Sequence, residues 1–268
     1  MPCPPDESSG TSLRCFGVGD GWPSADRRHS AYLYRLGSTT LLVDCGDGLS
    51  STYKASGLSY DAVDAILISH LHSDHVGGLS MFLQSLWLER RTKPLTICAP
   101  AGGIAALRAW LEATLVPPDL FAFELRWAPL VAGQPLVLGE VTVTPAPTSH
   151  LASLRERLSA GYPNICFDAF AFALDGPKSR VVHSADIGVA EDLAPLLTEP
   201  VDLLTCELAH VELASLAAVL RGRDLRQVVF IHLAREFWAD RARTEALIRA
   251  ELPGVPFHLA RDGDEFRC

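Results

Sequence analysis

The chain has 268 residues, 48% of them hydrophobic and 21% charged, with a formal charge of −9. That balance excludes disordered, collagen-like and coiled-coil architectures and provides for a substantial core. It also gives bulk electrostatics nothing to offer a polyanion such as nucleic acid. No window approaches the roughly 18 uninterrupted apolar residues of a membrane-spanning helix, so no membrane association is expected. The seven cysteines are odd in number and include no C-x-x-C pair. A disulfide framework and a Cys-rich zinc module are both unsupported, and a reducing cytoplasm is the expected compartment. Residues 1–12 are rich in Pro, Ser and acid and lack the apolar stretch of a signal peptide. They are expected to form a mobile tail before one domain over 13–268.

In chain order, 31–36 and 39–44 read as strands joined by a Gly37-Ser38 turn. An apolar run over 62–69 ends at a cluster of His and Asp. Leu79, Phe82, Leu83 and Leu86 have the spacing of one helix face over 79–89. A strand is expected over 95–99, a helix over 103–114 and two short strands around Gly139 within 134–143. Strands follow over 169–174 and 180–183, about the turn Asp175-Gly176-Pro177. The remaining expectations are a strand over 201–206, a helix over 211–220, a strand over 227–231 and a helix over 244–251. Strands mixed with helices throughout predict a layered α/β fold.

The informative segment is Ile68-Ser69-His70-Leu71-His72-Ser73-Asp74-His75-Val76-Gly77-Gly78. Four ligand-type residues lie between an apolar strand and a helix. In extended backbone, residues two apart point the same way, so His70 and His72 can share one metal ion. Asp74 and His75 fall where the chain turns into the helix and suit a second ion. Imidazole with carboxylate suits zinc and also admits manganese or iron. Lone loop histidines usually mean nothing, but packing alone does not explain four such residues, whose burial without an ion would be costly. His150, Asp186 and His232 each sit just past a strand-like run. Each alone is an ordinary loop residue. Together with the first cluster they converge on one sheet edge, where open α/β sheets place their sites.

These residues resemble the metallo-β-lactamase superfamily, most closely its ribonuclease Z-like branch. The matching pieces are Asp44-Cys45-Gly46-Asp47-Gly48, the H-x-H-x-D-H block from His70 to His75, Thr148-Ser149-His150, Ser184-Ala185-Asp186 and Ile231-His232-Leu233. Gly17-Val18-Gly19 and Arg27-Arg28-His29-Ser30 are similar to that branch's N-terminal loop. The resemblance implies an αββα sandwich and a hydrolase domain over 13–268. It implies that His70, His72 and His150 hold one ion, that Asp74, His75 and His232 hold the other, and that Asp186 bridges both. Asp44 would orient ligands without touching an ion, although a strand-ending turn explains it equally well. Relatives that dimerise make a homodimer an expectation by analogy.

Two ions holding a bridging hydroxide support hydrolysis, with Asp74 orienting the nucleophile. Ribonuclease Z-like enzymes carry a further His 22 positions before their last ligand His, and here that position is His210. It would be the general acid for an alkoxide leaving group, with Glu207 orienting it; a solvent-facing His at a helix start is the structural alternative. Two departures weigh against transfer RNA. Only 35 residues separate His150 from Asp186, too few for the family's RNA-gripping arm, and the segment around Arg235 departs from the family pattern. The expected activity is therefore a dinuclear, metal-dependent phosphodiesterase acting on a small-molecule or nucleotide phosphodiester. The alternatives are an acyl hydrolase for a thioester, lactone or lactam, and a tRNA 3′-end endoribonuclease lacking the arm. His183 is expected to be core-packed, and Cys45 and Cys206 to be buried rather than nucleophilic.

Overall fold

A computed structural model describes residues 10–268. Two seven-stranded sheets stack face to face. The first contains β1 (Thr11–Gly17), β2 (Ala31–Leu36), β3 (Thr39–Val43), β4 (Ala65–Leu67), β5 (Leu95–Pro100) and β6 (Leu125–Leu130). The second contains β7 (Leu136–Leu138), β8 (Val141–Pro147), β9 (Phe170–Asp175), β10 (Arg180–His183), β11 (Leu203–Leu208), β12 (Val228–Leu233) and β13 (Phe257–Leu259). The last strand, β14 (Glu265–Arg267), returns to the edge of the first sheet and pairs with β1. Thr11 and Ser12, expected in the tail, are thus part of the sheet, because their backbone is paired with β2. The rest of the expected tail, residues 1–9, lies outside the described residues.

Each sheet is antiparallel in one half and parallel in the other. β1, β2 and β3 form a meander, after which β3, β4, β5 and β6 run parallel. In the second sheet β7 to β10 alternate in direction, and β10 to β13 run parallel. The β2–β3 turn has two residues, and Gly37 takes φ 62°, the positive value such hairpins require. Parallel strands need crossovers, and these supply most of the outer helices: α1 (Leu49–Ser56), α2 (Ser73–Val76), α3 (Leu79–Leu88) and α4 (Ile104–Ala113) in the first half, then α6 (Leu213–Leu220), α7 (Arg235–Ala239) and α8 (Arg241–Glu251), whereas α5 (Ala152–Leu158) lies in the connection between the antiparallel β8 and β9.

Three apolar layers follow from this arrangement. Between the sheets lie Leu13, Tyr34, Leu41, Val143, Phe172, Leu174 and Ile231. Outside the first sheet, α3 buries Leu79, Phe82, Leu83 and Leu86, the face its spacing predicts, against Ile66, Ile68 and Ile97. Outside the second sheet, α6 buries Leu213, Leu216, Ala217 and Leu220 against Leu204, Cys206 and Phe230. The expected αββα sandwich is what forms. Among the described residues no helix is long and apolar enough to cross a membrane.

Phe172 is fully buried between the two sheets. Phe172→Ala should cost about 3–5 kcal/mol, the range for emptying an aromatic core position. Denaturant unfolding with an unchanged slope would give this as a shifted midpoint; a loss under about 1 kcal/mol would mean the layers do not pack as described.

Candidate metal centre

Parallel strands bring their C-terminal ends to one edge, and the site is built there. β4 ends at Leu67, and the chain continues extended through Ser69 and His70 to His72, which precedes α2 with φ −65° and ψ 148°. Asp74 and His75 are carried on α2. His150 follows β8, Asp186 follows β10 and His232 is the penultimate residue of β12. Three non-glycine residues at this edge have positive φ: Asp44 at 62°, Ala185 at 44° and His232 at 47°. Such conformations cost an L-residue on the order of 1 kcal/mol or more, and they re-aim side chains that regular strands would direct elsewhere. Close approach helps as well. A Cβ on Gly78 would lie 2.2 Å from the Gly46 carbonyl oxygen, so only glycine lets α3 start against the loop after β3.

All seven expected ligands converge. His70, His72, His150 and Asp186 form one compact group; Asp74, His75, Asp186 and His232 form another; in each, the ligand atoms lie within 4.8 Å of one another. The two oxygens of Asp186 divide between the groups. Its Oδ2 is 3.8 Å from His70 Nε2 and 3.5 Å from His150 Nε2. Its Oδ1 is 3.3 Å from His75 Nε2 and 3.5 Å from His232 Nδ1. Asp74 Oδ2 closes the second group, 3.4 Å from His75 Nε2 and 3.2 Å from His232 Nε2. Two donors bound to one tetrahedral ion at about 2.0–2.1 Å lie roughly 3.3 Å apart, so these spacings suit cations in both groups. Polar satisfaction leads to the same fit: His70 Nε2, His75 Nε2, His232 Nδ1 and Asp186 Oδ1 are buried without a hydrogen-bond partner. Four such atoms in one place would be costly unless an ion completes them.

Residues 39–233 match the beta-lactamase superfamily domain. The chain belongs to this superfamily. A ribonuclease Z of Exiguobacterium sp. is 32% identical over 176 residues, covering 65% of this chain and 52% of that protein. The chain therefore matches about half the length of that relative. Among solved structures, the metallo-beta-lactamase fold protein YhfI from Bacillus subtilis aligns with a TM-score of 0.74 over 97% of this chain and 100% of that one, at 19% identity. Human tRNase Z, short form, aligns with a TM-score of 0.70 over 95% and 98%, also at 19% identity. These likenesses are of fold.

A further carboxylate lies behind the cluster. Asp44 accepts the Ser69 backbone N–H on Oδ1 and the Ser69 hydroxyl on Oδ2, both at 2.8 Å, and its Oδ2 lies 2.7 Å from His75 Nδ1. That contact puts the proton of His75 on Nδ1 and turns Nε2 toward the site. Ser69 Oγ is also 3.0 Å from His70 Nδ1, a support the sequence reading missed because a serine beside a ligand carries no periodic signal. The electrostatics suit cations. Burial holds His70 and His72 below the usual imidazole range, and it takes His150 down to about 4. Burial would raise the Asp186 carboxyl, but the adjacent His232 and His75 hold it well below the usual range; His232 and His75 do the same for Asp74. Burial would lower His75 and His232 too, but Asp186 with Asp44 raises the first and Asp186 with Asp74 the second. These two would release a proton on taking up an ion, since neutral imidazoles and ionised carboxylates are the forms that bind a metal.

His210 stands beside the ligands, its ring centroid 4.6 Å from that of His150 and 5.5 Å from that of His232. Its Nδ1 lies 3.1 Å from Glu207 Oε1, and the fully buried Glu207 also accepts the backbone N–H groups of Ile187, Ala209 and His210. Burial would lower the His210 pKa, but the hydrogen bond and charge of Glu207 outweigh it and raise the value to about 9. Glu207, His210 and His232 also form a third compact donor group, so position alone leaves His210 either an acid or a ligand. The other histidines stand apart. His183 is buried, its Nδ1 2.8 Å from Tyr34 Oη and 2.9 Å from Thr205 Oγ1, and burial pulls its pKa down to about 3. His29 Nδ1 bonds the Asp20 carbonyl at 2.8 Å. Cys45 and Cys206 are fully buried, and burial pushes both thiols up.

Asp186→Ala should lose affinity for both ions, whereas Asp44→Asn should weaken binding by about 10- to 100-fold, as removal of an outer support does. Competition with a chromophoric chelator measures both. Full affinity in the Asp186 variant would remove it from the centre.

Proposed function

We propose that this protein is a metal-dependent phosphodiesterase of ribonuclease Z-like type, and that its substrate is a small or nucleotidic phosphodiester. The observation that carries the reading is His210 held on Glu207 beside the seven-ligand cluster. Two divalent ions, zinc fitting the donor set best and manganese or iron being the alternatives, would supply a nucleophile at neutral pH and neutralise charge on the phosphate. The chain's residues do the rest. Asp74 accepts a hydrogen bond from the attacking water and orients it. His210, kept protonated by Glu207, donates its proton to the oxygen of the departing alcohol. Acyl transfer has less need of such an acid placed across from the nucleophile.

The relatives' name, ribonuclease Z, makes RNA the natural comparison substrate. Against efficient transfer RNA processing stand the charge of −9 and the short path from His150 to Asp186, taken up by α5 and the β9–β10 hairpin. Affinity for RNA rests on neutralised phosphates, and a surface that makes few such contacts binds weakly at physiological salt. Six free cysteines among the described residues support a reducing, cytoplasmic setting.

Metal-loaded protein should hydrolyse bis-p-nitrophenyl phosphate and leave a lactone and a thioester intact; the reverse preference would overturn the reading. His210→Ala should keep both ions and lose roughly 10²- to 10⁴-fold in turnover. Loss of an ion in that variant would make His210 a ligand. Removing the negative charge of Glu207 lowers the pKa of His210, so the protonated acid is lost earlier as pH rises. For substrates with a poor alcohol leaving group, the alkaline limb of Glu207→Gln should therefore fall roughly 1–2 pH units below that of the wild type. Precursor tRNA should be cleaved slowly, if at all, at physiological ionic strength; efficient cleavage at the 3′ boundary would contradict the substrate assignment.

A further inference from the structure

The metal centre opens into a cleft of about 620 Å³, with Trp22 and Arg235 in its lining together with His72, Asp74, Asp186 and His210. Trp22 comes from the loop after β1, and Arg235 is the first residue of α7. They are distant in sequence, yet the Arg235 guanidinium carbon sits 3.7 Å from the centroid of the Trp22 ring. That contact holds the planar group against an aromatic face. Among the described residues the guanidinium has no other partner: no carboxylate pairs with it and no carbonyl accepts from it. Its neighbour Glu236, which also lines the cleft, makes no ion pair with it. Most arginines in this chain whose contacts are described have such an acceptor. Arg14 pairs with Glu265, Arg155 with Asp168, Arg180 with Asp175, and Arg221 and Arg249 with Glu251 and Glu245. Arg235 is thus a fixed, exposed cation with unused donors at the mouth of the site. Trp22 is itself 58% exposed, so the stacked pair stands open to solvent.

The scissile phosphate does not need this cation. Ions held by the seven ligands, with His210 beside them, would oppose its charge inside the cleft. We propose that Arg235, braced on Trp22, is a specificity-determining residue that binds a second phosphate, one carried on the nucleoside or other alcohol of the scissile diester. The proposal rests on the phosphodiesterase reading and narrows it to substrates with two phosphates. A guanidinium fork matches a terminal phosphate in two parallel hydrogen bonds, and stacking on Trp22 leaves those edge donors free. The cleft volume lies within the range of sites that hold a nucleotide-sized ligand.

The test compares two chromogenic diesters, thymidine 5′-(p-nitrophenyl phosphate) and the same compound bearing a 3′-phosphate. The wild type should favour the second in kcat/KM by about tenfold, mainly through KM, as one charge-assisted contact supplies. Arg235→Gln and Trp22→Ala should bring the ratio close to one. Arg235→Lys, which keeps the charge but not the stacked plane, should fall between. Arg249→Gln, on α8 and outside the cleft lining, should leave the ratio unchanged. Calorimetry on the metal-loaded protein with thymidine 3′,5′-bisphosphate and thymidine 5′-phosphate gives a second readout that needs no turnover, and the dissociation constants should show the same preference and the same losses. A wild-type ratio near one, a ratio that survives Arg235→Gln, or one that falls equally in Arg249→Gln would overturn the proposal. If the wild type hydrolyses neither diester yet binds the bisphosphate preferentially through Arg235, the phosphodiesterase reading fails while the subsite stands.

Discussion

A single buried carboxylate organises this molecule's chemistry. Asp186 is 2% exposed, and its two oxygens face different histidine groups. Burying an ionised carboxylate is tolerable only beside compensating charge. Among the described residues that charge comes from His75 and His232, while burial holds His70 and His150 below the usual imidazole range. The low-pKa histidines and the four buried donor atoms without a hydrogen-bond partner make the cluster fit to receive cations. The requirement spreads outward. Asp44 fixes the tautomer of His75, Ser69 ties Asp44 to the backbone, and Glu207 repeats the arrangement for His210.

The sandwich exists to put these groups at one edge. Six segments of the site leave strands β3, β4, β8, β10, β11 and β12, three of them parallel within the second sheet and two within the first. The apolar layers set the strands' positions, and the strands set the ligands to within a few ångströms. Final aim comes from local backbone departures, and the positive φ values at Asp44, Ala185 and His232 lie where the ligands must turn. Strain at a site is held by the packing around it. Here that packing includes Gly78 against Gly46 and the β12 backbone, where His232 N–H bonds the Val18 carbonyl at 3.0 Å.

The metal cluster was legible in the sequence because its residue types are rare together and its spacing matches strand and turn geometry. The helix from Leu79 and the β2–β3 hairpin were legible from periodicity and turn chemistry. Other elements gave too little signal. β6, LRWAPL, contains Pro129 and reads as a poor strand, yet it lies at a sheet edge where a missing N–H is tolerated. β13 and β14 have three residues each, too few for alternation to register. α1, LSSTYKAS, buries only Leu49 and Tyr53 and has no side-chain cap, so its helical state depends on packing over β1. The stacking of Trp22 on Arg235 joins residues 213 positions apart, and nothing local announces it.

The central claim is that Asp186 joins two ions within one centre. Anomalous diffraction from crystals of the metal-loaded protein tests it most directly, because it locates each ion among the candidate donors. The account predicts two peaks about 3.5–4 Å apart, as in two-metal hydrolytic sites, one among His70, His72 and His150 and the other among Asp74, His75 and His232, with Asp186 between them. A single peak, or a second peak held by Glu207 and His210, would contradict it.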